Sequence, residues 1–98
     1  MIEATATVQV ENSAVRVTRW DFPPRSETGP HRHEFDYVVV PVIGGILTIA
    51  WADGTTIESA ITVGGSYNRD AGADHNVMNL SDSPVAFVEI ELLEHGEG

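Results

Sequence analysis

Three of the four histidines stand in two short segments, Gly29-Pro30-His31-Arg32-His33-Glu34-Phe35-Asp36-Tyr37 and Asp74-His75-Asn76-Val77-Met78-Asn79. On an extended chain His31-x-His33 directs both imidazoles to one face, because strand side chains alternate with period two. His75, 42 positions after His33, can join them from another strand and complete a facial set of three nitrogen ligands. Such a set suits a divalent Fe, Mn, Ni or Zn ion, with positions left open for water or substrate. Cysteine is absent, so thiolate ligands, thiolate nucleophiles and disulfides are excluded. His95 lies close to the end of the chain and reads as solvated.

The elements that must position these residues read as strand and turn throughout. Ala14 to Phe22 alternates, with Val15 and Val17 on one face and Trp20 and Phe22 on the other, until Pro23-Pro24 stops it. The histidine segment runs into Tyr37 to Val42, and Gly44-Gly45 turns the chain into Ile46 to Trp51. Asp53-Gly54 is a two-residue hairpin signal before Thr55 to Ile61. Gly64-Gly65, Ala71-Gly72-Ala73 and Ser81-Asp82-Ser83-Pro84 punctuate the rest, ahead of strands at Ser66 to Arg69, His75 to Leu80 and Val85 to Leu93. Short strands at this spacing predict an all-β sandwich or barrel. Residues 1–13 read as an N-terminal edge strand or arm, and 94–98 as a flexible tail.

The whole chain, 98 residues with 42% hydrophobic content, makes one domain able to close one core. Its longest apolar run, Tyr37 to Ile43, is far short of the roughly 18 to 20 residues that span a bilayer. The first residues lack the charged and apolar regions of a signal peptide, so a soluble cytoplasmic protein without membrane attachment is expected. A net charge of −10 argues against nucleic acid, whose phosphates need a basic face. All five basic residues are arginines (16, 19, 25, 32 and 69), which rules out Schiff-base and lysine general-base chemistry.

The pattern of turns and histidines resembles the cupin family over roughly residues 14 to 93. The family's first motif, a His-x-His closed by a glycine, is matched by His31, His33 and Gly44 or Gly45. Its second motif is matched in register by Gly64, Gly72, His75 and Asn79, with Asp70 in place of a proline. The run Pro23-Pro24-Arg25-Ser26-Glu27-Thr28-Gly29-Pro30-His31-Arg32-His33 looks most like short cupins linked to β-alanine degradation. The resemblance implies a single-domain cupin-type double-stranded β-helix, that is, a jelly-roll barrel. It also implies a homodimer in which strands of one subunit extend the partner's sheet. The chain departs from the family at one ligand: Tyr37 stands where a glutamate is expected, four positions after His33. The fourth ligand is then missing, or Asp36 supplies it if a β-bulge re-aims its side chain.

The remaining candidates follow from phase. Tyr67 and Arg69 alternate on the strand before His75, so Arg69 can hold a substrate carboxylate if that face lines the barrel. Asn79 shares His75's face and can orient a ligand or satisfy buried backbone groups. Glu89 and Glu91 share a face with Phe87; the apolar weight of Val88, Ile90 and Leu92 favours turning the acids to solvent. An inward Glu89 would instead be a metal ligand or a general base raised by burial, with Tyr37 as the other candidate proton carrier. Trp20 and Phe22 suit either the core or a dimer contact. Three readings fit these residues: a metal-dependent enzyme acting on a small polar metabolite as a dioxygenase or Lewis-acid isomerase or hydrolase, a non-catalytic barrel that binds a metal or metabolite, or a barrel whose pocket is empty and structural. Ala4 to Val10 has the β-branched content of a strand with no evident mate within the chain, which agrees with pairing between subunits.

Overall fold

A computed structural model describes residues 1–96. Its strands are β1 (Ile2–Glu3), β2 (Thr5–Glu11), β3 (Val15–Phe22), β4 (Ser26–Glu27), β5 (His31–Arg32), β6 (Phe35–Ile43), β7 (Gly45–Trp51), β8 (Thr56–Ile61), β9 (Tyr67–Arg69), β10 (Asp74–Asn79) and β11 (Val85–Gly96). They form two sheets, ordered β1-β4-β10-β7-β8 with β5 also on β10, and β2-β3-β11-β6-β9. The all-β architecture expected from the turn spacing is therefore present, in the two-sheet jelly-roll form that the resemblance implies. Among the described residues no helix is long and apolar enough to cross a membrane.

The sheets face each other across a core of Phe22, Val39, Leu47, Val77, Val85 and Phe87. Phe22 is 1% exposed and packs its ring 5.4 Å from that of Phe87, so Trp20 and Phe22 belong to the interior. Each such apolar side chain contributes about 1.5–3 kcal/mol by leaving water. Trp51 N–H donates to Thr55 O at 2.8 Å, closing the Asp53-Gly54 hairpin between β7 and β8.

Register decides which side chains enter the barrel. In the five-stranded sheet Arg69, Tyr37, Glu91 and Arg16 lie in one row across β9, β6, β11 and β3. Tyr67, Val39, Glu89 and Thr18 form the next row on the same face. Val39, Phe87 and Phe22 are in the core, so this inner face carries Glu89 and Glu91 inward with it. The outward placement of the two acids is thereby overturned: Val88, Ile90 and Leu92 occupy the outer face, opposite Arg19, Val17 and Val15. The reason is the company the strand keeps, since Val85 and Phe87 fill the core and fix the phase of everything after them.

Two further elements differ from expectation. β2 finds its mate within the chain, pairing β3 from Thr5↔Asp21 to Glu11↔Arg16. β11 runs to Gly96, which pairs Phe35, so residues 94–96 are strand; residues 97–98 of the expected tail lie outside the described residues.

Candidate metal centre

The three histidines are assembled by pairing two segments. β5 and β10 run antiparallel with His31 directly opposite His75 and Arg32 opposite Asp74. His33 follows β5 and continues the pairing: its N–H donates to Ala73 O at 2.8 Å, and Gly72 N–H donates to His33 O at 2.8 Å. Gly72 makes that turn at φ +98°, a conformation open to glycine and costly for L side chains.

Their Nε2 atoms converge. His33 Nε2 lies 2.9 Å from His31 Nε2 and 3.1 Å from His75 Nε2. Nitrogens bound at about 2.1 Å are about 3.0 Å apart at adjacent octahedral corners and about 3.4 Å apart at tetrahedral ones. The two distances from His33 match adjacent octahedral corners, and one ligand nitrogen from each of the three rings lies within 4.8 Å of the others. The tautomers fit as well. His31 Nδ1 lies 2.8 Å from Gly29 O, which can only accept, so Nδ1 is the donor and Nε2 is the nitrogen turned to the other two rings. Burial pushes His33 down to about 3, with His31 and His75 adding to the effect, and pushes His75 down to about 4. Both rings are neutral donors at pH 7. His75 Nδ1 is buried with no hydrogen-bond partner among the described residues. The donor set thus fits a divalent ion held by His31, His33 and His75.

Tyr37, in the place of the family's glutamate, stacks its ring on His33 at 4.0 Å between centroids and 22° between planes. It is 4% exposed, and burial followed by the Glu89 charge raises its hydroxyl above the ordinary tyrosine range. It is a protonated donor and a ring support, not an anionic ligand. Asp36 stands apart from the cluster, its Oδ1 accepting the Ala71 N–H at 2.7 Å, so its side chain pins the turn before β10. The β6–β11 pairing is irregular at this point, between Tyr37 and Phe35, yet the Asp36 side chain is spent on the turn.

Glu89 enters from the opposite sheet. Its Oε1 is 3.8 Å from His33 Nδ1, too long for a hydrogen bond, and the neutral ring makes this no ion pair. Burial pushes its carboxyl up to about 7; Glu91 adds to the rise, and Trp20 and Arg16 oppose it. Glu91 is itself neutralised by a bidentate pair, Arg16 Nε to Oε1 and Nη2 to Oε2, both 2.8 Å. This Arg16–Glu91 clamp carries no distinctive spacing in the sequence; only register reveals it.

The centre opens on a cavity of about 30 Å³ lined by the three histidines, Tyr37, Glu89 and Arg69 among others. That is room for two or so water-sized groups at roughly 10–15 Å³ each. A wider mouth of about 380 Å³ leads in, sharing Trp20, Thr28, His31, His33 and Glu89 with the inner cavity. Tyr67 also lines the cavity, and the Arg69 guanidinium carbon sits 4.7 Å over its ring centroid. Asn79 does not reach the site. It is fully buried and staples loops, donating to Phe22 O, Pro23 O and Ser83 O at 3.1, 3.2 and 2.8 Å. Its Oδ1 accepts from Ser81 N–H and Oγ–H at 3.0 and 2.7 Å.

Comparisons with known proteins agree with this architecture. The β-alanine degradation protein BauB of Pseudomonas aeruginosa is 47% identical over 90 residues, spanning 92% of this chain and 94% of that protein. A cupin domain protein from Bordetella pertussis superposes with a TM-score of 0.89 at 49% identity, covering 93% and 94% of the two chains. An RmlC-like protein with a double-stranded β-helix fold from Methanocaldococcus jannaschii matches at a TM-score of 0.76 and 12% identity, over 94% of this chain and 82% of its own, and so shares the fold alone. No protein-family model matches the chain.

Proposed function

The chain belongs to the cupin family, and from that premise we propose that it holds a divalent Fe, Mn, Ni or Zn ion on His31, His33 and His75 and acts on a small polar metabolite. The observation that carries the proposal is the convergence of three Nε2 atoms, His33 standing 2.9 and 3.1 Å from the other two, beside a cavity. When bound, the ion supplies Lewis acidity or, if redox-active, oxygen chemistry, as in an isomerase, hydrolase or dioxygenase. The chain's own residues supply the rest. Glu89, reaching the cavity from β11, takes up or releases a proton near neutral pH. Tyr37 keeps its hydroxyl proton and holds the His33 ring in place. Val39, Leu47, Ile49 and Phe87 line the inner wall and keep bulk water out. BauB's name places that relative in β-alanine breakdown, and a role in handling a small amino-acid-derived metabolite is in keeping with 47% identity.

The deciding experiment is elemental analysis by inductively coupled plasma mass spectrometry on untagged protein purified without chelator, beside the His31→Ala/His33→Ala double variant. Near-stoichiometric metal in the first, absent from the second, is expected. No metal in either, even after supplementation, would overturn the metal reading and leave the alternative of a non-catalytic binding barrel.

A homodimer is proposed as well. The outer face of the five-stranded sheet presents Val15, Val17, Val38, Val40, Val88 and Ile90 side by side. The exposed Val8 and Val10 lie on the edge strand β2. A second copy would cover both. Light scattering after size exclusion tests it, and a monomer at micromolar concentration would refute it.

A further inference from the structure

We propose that the ligand of this cavity is a short carboxylate, held through its carboxylate group by Arg69; the inference rests on the metal-site reading above. Of Arg16, Arg19, Arg25 and Arg69, the first three hold Glu91, Asp21 and Asp82. Arg69 has no carboxylate within ion-pair distance among the described residues, in a chain with 15 acids and a net charge of −10. A guanidinium with no carboxylate partner on the wall of the cavity is placed to receive an anion.

Its setting is that of a receptor. β9 pairs β6 with Arg69 opposite Tyr37, which places Arg69 on the inner face and in the cavity wall. The guanidinium lies over the Tyr67 ring, which fixes its plane. Its one side-chain hydrogen bond among the described residues, Nη1–H to Asn68 O at 3.2 Å, leaves further donors for a planar two-oxygen acceptor. The next acid along its row, Glu91, is committed to Arg16.

The metal centre points the same way. The three ligands are imidazoles with no carboxylate among them, so a bound divalent ion would keep most of its charge and favour an anion beside it. The inner cavity of about 30 Å³ takes little more than the acid group itself, and the rest of a small ligand extends into the adjoining space of about 380 Å³. The ligand is therefore a short carboxylic acid, with its carboxylate on Arg69 and the rest of the molecule past the histidines.

Calorimetric titration of propionate, glycolate and malonate into metal-loaded wild-type protein tests this, with propionamide as the uncharged control. The same titrations are run on Arg69→Met and Arg69→Lys, with the metal content of each protein measured alongside. At least one carboxylate is expected to bind wild type, to lose about tenfold or more in Arg69→Met, and to lose less in Arg69→Lys, which keeps charge but not the fork. Propionamide should bind wild type no better than Arg69→Met. Carboxylate affinity equal in wild type and Arg69→Met, or no binding of any of the three to wild type, would overturn the inference. Were wild type to hold no metal, the metal reading would fall by itself, and the titrations on metal-free protein would decide the Arg69 inference separately.

Discussion

Replacing Glu89 with Gln should change how stability depends on pH, in a direction fixed by its burial. In the native protein the Glu89 carboxyl keeps its proton up to about 7, against 4.5 in a solvated chain. Between these values the unfolded state binds fewer protons than the native state, so stability falls as pH rises through that window and levels off above it. The full displacement corresponds to about 3 kcal/mol at roughly 1.4 kcal/mol per decade. Glutamine in the same place cannot ionise. The stability of Glu89→Gln relative to wild type should therefore improve by up to about 3 kcal/mol between about pH 5 and about pH 8. His33 and His75, neutral in the native state, act in the opposite sense, lowering stability as acid protonates the unfolded chain. They do so in both proteins and largely cancel in the difference. Urea unfolding of chelator-dialysed protein, followed through the fluorescence of Trp20 and Trp51, measures the two free energies. A difference that does not change with pH would refute the argument, because it would mean that Glu89 ionises alike in the native and unfolded states.

Three other substitutions test the surroundings of the site. Asn79→Ala removes the donor to Phe22 O, Pro23 O and Ser83 O and should cost about 3 kcal/mol in urea unfolding while metal content stays at the wild-type level. Arg16→Met leaves Glu91, whose side chain is 12% exposed, without its partner; about 2 kcal/mol should be lost, with less loss in Arg16→Met/Glu91→Leu than in the single variant. Gly72→Ala forces an L side chain to φ +98° in the turn that anchors His33, costing about 1–2 kcal/mol and weakening metal affinity as read by competition with a chromogenic chelator.

The histidine set was legible because its signal is local: His31 and His33 two apart, then His75 beside a turn glycine, each on a segment with strand pattern. The turns were legible for the same reason, since Asp53-Gly54 and Gly64-Gly65 carry their own backbone preference. Glu89 was misplaced because Val85 to Leu93 alternates apolar side chains against a face that also contains Val85 and Phe87. Periodicity gives the two faces of a strand but not which of them is inside. That choice is made by pairing with β3 and β6, where Phe22 and Val39 meet Phe87 and Glu89 on the core side. Asn79 and Asp36 share the same limit, since their partners are backbone groups of distant loops. The mate of β2 was missed because Val15 to Phe22 had already been read through its two faces, whereas a strand also has two edges, and β3 uses both.

The two-residue ladder that joins His31 to His75 has a thermodynamic corollary. β5 contributes only His31 and Arg32 to the sheet, and its pairing with β10 continues through His33 and the Gly72 turn. So short a ladder opens locally at a smaller free energy than the long β3–β11–β6 ladders. Any ion gripping all three rings binds only the closed form, so its occupancy is energetically equivalent to a latch on that opening, worth about 2.7 kcal/mol when free metal stands at a hundred times its Kd. Amide exchange at Arg32, His33 and Gly72 then reports metal occupancy directly.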